Sequence, residues 1–149
     1  MNEARANRIL AALKEQGVDQ MLITDPMSIC YLTGISMAPI ERFYALLLKA
    51  DGHHYYFLNH LFNVPGDVGV EKVWYSDTDP VPEIVAARLD KNAVLGVDKD
   101  LKARFLLPLM EMKAAAGFVN GSLAHAESNT IVSPIFTYPF VPTVGTLII

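Results

Sequence analysis

Apolar residues recur along the chain with two spacings, one typical of helices and one typical of strands. A spacing of three to four residues predicts amphipathic helices over residues 2–16, 80–89 and 101–113. Short apolar runs predict strands over residues 20–24, 43–49, 54–59, 72–75, 93–97 and 117–119. The run from Gln20 to Thr24 does not alternate with polar residues, so we expect a central strand that is covered on both faces.

Turn-forming residues lie between these segments. Asp51-Gly52 joins two apolar runs, which predicts a β-hairpin. At the start of the second predicted helix, we expect Asp79 to cap the helix and Pro80 to occupy its first position. Residues 28–32 are ambiguous and favour at most one helical turn, whereas residues 34–41 are predicted to be a loop.

The predicted elements follow one another as helix, strand, loop, hairpin, strand, helix, strand, helix and a last short strand. Strands that alternate with helices after an initial hairpin indicate an α/β fold with a mixed sheet of five or six strands. A length of 149 residues suits one globular domain.

Composition and charge exclude several classes of protein. Hydrophobic residues make up 52% of the chain, which argues against disorder. The net charge of -4 provides no general attraction for phosphate, so we expect no nucleic acid partner. The sequence contains neither an uninterrupted apolar run of about 20 residues, the length of a membrane span, nor an N-terminal secretory signal. With a single cysteine, Cys30, the protein is therefore expected to be cytoplasmic and to have no contact with a membrane.

Residues 128–149 differ from the rest of the chain because they contain no charged side chain. Pro134, Pro139 and Pro142 exclude a continuous helix in this tail. A segment of this kind must be buried, paired as a strand or available to a partner, and we expect it to promote self-association.

Sequence motifs of common catalytic sites are missing. The chain has no HExxH, CxxC or GxSxG motif and no phosphate-binding glycine loop. Cys30 lies among apolar neighbours, which favours a buried, inert thiol over a nucleophile. His53 adjoins His54 on the predicted hairpin, and His54 and His60 on one extended strand would lie about 20 Å apart. Without a bend they could not bind the same zinc ion, so we favour polar positions on a hairpin.

Five aspartates directly follow predicted strands, namely Asp25, Asp77, Asp79, Asp98 and Asp100. Sites in α/β sheets gather at the C-terminal ends of strands, so these carboxylates could hold magnesium in a nuclease-like domain. Asp at such positions also caps turns and helices without any further assumption, and we favour capping.

A further pattern lies in the order of several short segments. The run from Ile29 to Gly34 contains Tyr-Leu-Thr-Gly, and Glu41-Arg42, a strand, the Asp51-Gly52 turn and a second strand follow it. The segment from Tyr75 to Pro80 and the strand and helix after it continue the same order. Together these segments resemble the N-terminal domain of the creatinase/prolidase family, and the resemblance covers residues 3–124.

The resemblance implies a mixed sheet with helices on both faces, similar to the ribonuclease H-like architecture. Members of the family are hydrolases, Xaa-Pro dipeptidases (prolidases) or aminopeptidase P enzymes, whose C-terminal catalytic domain holds two manganese or cobalt ions. The metal ligands there are two Asp, one His and two Glu, and none of them corresponds to a residue of this chain. Residues 1–124 would then be the N-terminal domain and residues 125–149 an atypical tail, with the catalytic domain absent and no cofactor bound by this chain.

The resemblance also implies partners and a site. We expect contact with the protein's own C-terminal catalytic domain, and a homodimer in which the N-terminal domain limits the length of peptides at the neighbouring active site. The resemblance implies that the loop after Tyr-Leu-Thr-Gly approaches that pocket. Its candidate substrate-pocket residues are Met37, Pro39, Glu41 and Arg42. The alternative interpretation is that these residues lie in an ordinary solvated loop. The chain alone is predicted to be the inactive, non-catalytic domain of a Xaa-Pro dipeptidase. A magnesium-dependent nuclease-like domain and a free-standing interaction module are the other interpretations.

Overall fold

The computed structural model of the protein describes residues 1–121, and the predictions for the tail lie outside these residues. Within this range the chain forms four helices and six strands. The helices are α1 (Glu3–Lys14), α2 (Pro26–Thr33), α3 (Val81–Ala86) and α4 (Ala103–Glu111). The strands are β1 (Gln20–Ile23), β2 (Ala45–Lys49), β3 (Tyr55–Asn59), β4 (Glu71–Tyr75), β5 (Val94–Val97) and β6 (Gly117–Asn120).

The six strands form one mixed sheet in the order β4-β3-β2-β1-β5-β6. Strand β2 is antiparallel to both of its neighbours, whereas the β3–β4, β1–β5 and β5–β6 pairs are parallel. In β1, Leu22 lies opposite Leu47 of β2 on one side and Val97 of β5 on the other. All four residues of β1 are buried, which confirms the prediction of a central strand covered on both faces.

Helices cover both faces of the sheet, as the resemblance implied. On one face α1 and α2 bury residues such as Ile9 and Ile29 against Met21 and Ile23 of β1. On the other face α3 and α4 pack against a second cluster that contains Leu22. No helix within residues 1–121 is long and apolar enough to cross a membrane.

The predicted hairpin is confirmed, because β2 and β3 pair in antiparallel register around the Asp51-Gly52 turn. Gly52 has a φ of 85°, a left-handed conformation that glycine adopts without steric cost. Residues 28–32, where we expected at most one turn, belong instead to the eight-residue helix α2. The Asp25 side chain caps the start of α2, and Gly34 ends the helix with a φ of 78°.

The predicted helix cap at Asp79 is wrong. Helix α3 begins at Val81 after Pro80, and no side chain caps its N-terminus. The Asp79 carboxylate accepts hydrogen bonds from the Ser76 amide at 2.6 Å and from the Ser76 hydroxyl at 2.9 Å. Asp79 therefore closes the turn that precedes it, because Ser76 offers two donors three residues before it.

Candidate functional site

The loop between α2 and β2 reaches the edge of the sheet at which most strands end. Because β2 alone of the six described strands runs in the opposite direction, its N-terminus lies beside the C-termini of β1, β3, β4 and β5. Residues 35–44 therefore enter the sheet at the edge where α/β folds commonly place their sites.

Arg42 and Asp77 fix the end of this loop to the end of β4. The Arg42 Nε donates to Asp77 Oδ1 at 3.0 Å, and its Nη2 donates to Asp77 Oδ2 at 2.9 Å. The Asn59 side-chain amide also donates to Asp77 Oδ1, at 2.8 Å. The hydrogen bonds from Arg42 hold the pKa of the Asp77 carboxyl below its usual value, and those to Asp77 raise the pKa of Arg42. Arg42 is therefore already paired with an anion.

The tip of the loop exposes Ile40 in an unusual backbone conformation. Ile40 has a φ of 58°, and 83% of the residue is exposed. The left-handed conformation costs a β-branched residue about 1–3 kcal/mol, and it persists only where surrounding contacts hold the residue there. Those surroundings include Lys102, whose Nζ donates to the Ile40 carbonyl at 2.7 Å, and a turn in which the Arg42 amide donates to the Pro39 carbonyl at 3.0 Å.

Two cavities flank the loop. The larger, of about 480 Å³, is lined by Glu41 and Arg42 together with the segment after β4. The smaller, of about 230 Å³, is lined by Pro39 and by residues that follow β5. Of the four predicted pocket residues, these three lie at the cavities. Met37 instead packs against the core beneath α1 and α2.

The five strand-end aspartates divide into two groups at the same edge. Asp77 and Asp79 follow β4, and the others follow β1 and β5. Strand β4 lies three strand spacings from β1, which is about 14 Å.

The Asp98 carboxylate is buried and accepts hydrogen bonds from the amides of Thr24 at 2.5 Å and Asp25 at 2.9 Å. Burial raises the pKa of Asp98, against the opposing effect of these bonds. The carboxylates of Asp25, Asp77, Asp79 and Asp98 accept hydrogen bonds from protein donors. Within residues 1–121 no three His, Cys, Asp or Glu side chains are grouped to hold a metal ion.

The other candidate residues have structural contacts. Cys30 is half-buried on α2, not fully buried as its apolar neighbours suggested. The His54 Nδ1 accepts a hydrogen bond from the Lys49 amide at 3.1 Å. The His60 ring stacks on Trp74 with 5.7 Å between the ring centres.

Sequence reasoning missed Ile40, Lys102 and Phe105 as parts of this site. Phe105 lines both cavities, and its ring meets Phe43 edge-on with the ring centres 4.9 Å apart. No local pattern could have identified the contact between Lys102 and the Ile40 carbonyl, because 62 residues separate them in the chain. The hydrophobic spacing of α4 placed Phe105 on the buried side of the helix, and this spacing was the one sequence signal that pointed to Phe105.

Comparison with known proteins adds three findings. A sequence model described as the creatinase/prolidase N-terminal domain matches residues 5–127. An uncharacterized peptidase of Staphylococcus aureus is 38% identical over 53 residues, which are 36% of this chain and 15% of that relative, so the match spans a small part of the relative's length. The solved structures that share the fold include the following two, each with a TM-score of 0.70. A proline dipeptidase structure of Streptococcus pneumoniae is 23% identical and covers 88% of this chain and 99% of its own. The dipeptidase PepE of Mycobacterium ulcerans is 26% identical and covers 84% of this chain and 35% of its own.

Proposed function

The chain belongs to the creatinase/prolidase N-terminal domain family, and we propose that it serves as the non-catalytic N-terminal domain of a cytoplasmic Xaa-Pro dipeptidase. In this role it contacts its own catalytic domain and forms a homodimer. The loop at residues 39–42 is then one wall of the substrate pocket in the partner subunit.

The observation that carries this proposal is the way in which the loop is held. Arg42 is clamped to Asp77 by two hydrogen bonds, and Lys102 holds the carbonyl of Ile40. These contacts fix a short segment whose apolar tip projects into solvent. A wall that limits peptide length must resist displacement, and a fixed loop meets that requirement.

The wall acts by shape more than by charge. Because Asp77 already neutralises Arg42, this guanidinium is not available as a strong site for a substrate carboxylate. Ile40 offers only hydrocarbon to an approaching peptide. We therefore propose that the loop excludes longer peptides sterically.

The metal chemistry of hydrolysis belongs to the catalytic domain in this proposal. Two manganese or cobalt ions would there polarise the scissile carbonyl and activate water. Residues 1–121 contain no side-chain cluster that fits such a centre. In this proposal the chain forms the wall of the substrate pocket and contributes to the dimer contact.

The test compares peptide lengths in the peptidase that carries this domain together with its catalytic domain. Ile40→Gly removes the projecting side chain, and glycine accepts a φ of 58° without strain, so the variant should fold. Hydrolysis of Leu-Pro-Ala-Ala should rise severalfold relative to that of Leu-Pro. Leu61→Gly, at another highly exposed apolar residue, is the matched control. An unchanged ratio in the Ile40→Gly enzyme would contradict the proposal.

A further inference from the structure

Helix α4 carries an apolar surface on the side that faces away from the core. Leu109 is buried beneath the helix, and Leu107 and Met110 project outward with 54% and 46% of their surfaces exposed. Met112, directly after the helix, is 38% exposed. Several large apolar residues exposed on one short helix form the kind of patch that commonly contacts another molecule.

Two opposite charges border this surface along the helix, one on each side of Leu107. Arg104 lies three residues before Leu107 and Glu111 lies four residues after it, so all three side chains lie on one side of α4. Neither charge forms a salt bridge with any other side chain in residues 1–121. The Arg104 guanidinium lies over the Phe105 ring, 4.8 Å from its centre.

The surface is complementary to itself under a two-fold rotation. The midpoint between positions 104 and 111 lies beside Leu107. If two copies of α4 pack antiparallel about that point, Arg104 of each copy lies opposite Glu111 of the partner subunit, and the two Leu107 side chains lie beside the axis, offset from each other by one residue. We propose that α4 is a homodimer contact of this protein, with a second copy of the same helix as its partner. The inference rests on the homodimer of the proposed function and adds the surface that forms it.

The strength of this contact follows from its size. A nine-residue helix is about 13 Å long, so the pair buries less surface than the ~1,200 Å² of a standard stable interface. Exposed ion pairs contribute little to affinity, so most of it comes from Leu107 and the adaptable side chain of Met110. The α4 pair is therefore a weak dimer on its own, in the micromolar range or above.

Charge reversal tests the antiparallel arrangement directly. Sedimentation equilibrium of the full 149-residue chain, from micromolar to sub-millimolar concentrations, should show a monomer–dimer equilibrium. Arg104→Glu alone and Glu111→Arg alone each place like charges opposite one another twice, and each should raise Kd about tenfold. The double variant Arg104→Glu/Glu111→Arg restores both pairs and should return Kd to the value of the unchanged chain.

A disulfide reports the position of the two-fold axis. Packed helices lie about 8–10 Å apart with Cα atoms at a radius of about 2.3 Å, so facing Cα atoms lie about 3.4–5.4 Å apart, which overlaps the disulfide range of about 4.4–6.8 Å. In a Cys30→Ser background, Leu107→Cys should form an intermolecular disulfide on mild oxidation. Glu83→Cys, exposed on α3, should remain largely unlinked under the same conditions.

Two outcomes would overturn the inference. One is a monomer at every concentration, and the other is a dimer whose Kd is unaffected by either charge reversal. If the chain is a monomer and Leu107→Asp destabilises it far more than Leu61→Asp, residues 122–149 of the same chain are the cover of α4. A dimer whose Kd is unchanged by the charge reversals would contradict only the α4 contact. The proposed function is tested separately, by peptide-length selectivity.

Discussion

The side chain of Gln20, in the central strand β1, forms two reciprocal hydrogen bonds with the backbone of Asp90. Its Nε2 donates to the Asp90 carbonyl at 2.8 Å, and its Oε1 accepts from the Asp90 amide at 2.9 Å. Gln20 is only 1% exposed. A buried amide with both ends satisfied connects β1 to the segment between α3 and β5, and so joins the two halves of the chain.

Replacement of Gln20 by Met should destabilise the protein strongly. The substitution removes both hydrogen bonds to Asp90 and leaves its amide and carbonyl without their side-chain partner, which should lower the free energy of unfolding by about 1–3 kcal/mol. Urea denaturation measures this change. Gln16→Met is the matched control, because Gln16 is exposed after α1 and its replacement should change the free energy by less than about 0.5 kcal/mol. Equal stability of the two variants would contradict the role of Gln20.

The paired geometry of Arg42 should control the acidity of Asp77. Lysine cannot form two parallel hydrogen bonds with a carboxylate, so Arg42→Lys should raise the pKa of Asp77 toward about 3.9, the value of an unperturbed Asp. Carboxyl-detected NMR titration measures this pKa. Asp79 is the internal control, because hydrogen bonds from Ser76 lower its pKa and Arg42 is not among the causes.

The sign of the pH dependence follows from the direction of that shift. Since the folded-state pKa of Asp77 lies below its unfolded value, the Arg42–Asp77 pair stabilises the fold above the unfolded pKa. This stabilisation is lost as the pH falls through the lowered folded-state pKa. In Arg42→Lys the acid-induced loss should be smaller, and an identical acid transition in both proteins would argue against the pair.

Protonation of His54 should destabilise the hairpin in mild acid. Burial lowers the pKa of His54 below 6.5, and the neutral Nδ1 accepts the Lys49 amide. The unfolded chain therefore takes up a proton first, so stability should fall as the pH decreases from about 6.5 toward the lowered folded-state pKa. The drop in Tm between pH 7 and pH 5 should shrink in His54→Asn. It should persist in His53→Asn, because His53 is an exposed neighbour.

The isolated chain should not hydrolyse Xaa-Pro dipeptides. Di-metal hydrolysis requires ligands that hold ions against the substrate carbonyl, and residues 1–121 contain no such cluster. With manganese added, incubation with Ala-Pro or Leu-Pro should release no proline, and a complete prolidase serves as the positive control. Steady turnover that a chelator abolishes would refute this prediction.

The elements with strong local signals could be predicted from the sequence. The Asp51-Gly52 turn lies between two apolar runs, so the local pattern alone specified the β2–β3 hairpin. The unbroken apolar run at β1 indicated a strand covered on both faces, and Leu22 and Ile23 do pack against helices on opposite faces.

The candidate site was less predictable because its contacts join distant parts of the chain. Arg42 and Asp77 are 35 residues apart, and only the parallel pairing of β3 with β4 brings the end of β4 to the loop. Met37 shared the loop with the other pocket residues, but its apolar side chain packs against the core beneath α1 and α2. Asp79 had the expected sequence of a helix cap, and the two donors of Ser76 competed successfully for its carboxylate.

The position of β1 in the sheet has a consequence for synthesis on the ribosome. In the sheet, Gln20 of β1 pairs with Lys49 on one side and with Leu95 on the other. Lys49 can pair once it has left the ribosome, whereas Leu95 is translated 75 residues after Gln20. A nascent chain that ends before β5 therefore presents an apolar strand with one unpaired edge, which is a template for aggregation. Translation pauses between residues 60 and 94 should prolong that vulnerable state, and the domain should depend on chaperones most strongly during this interval.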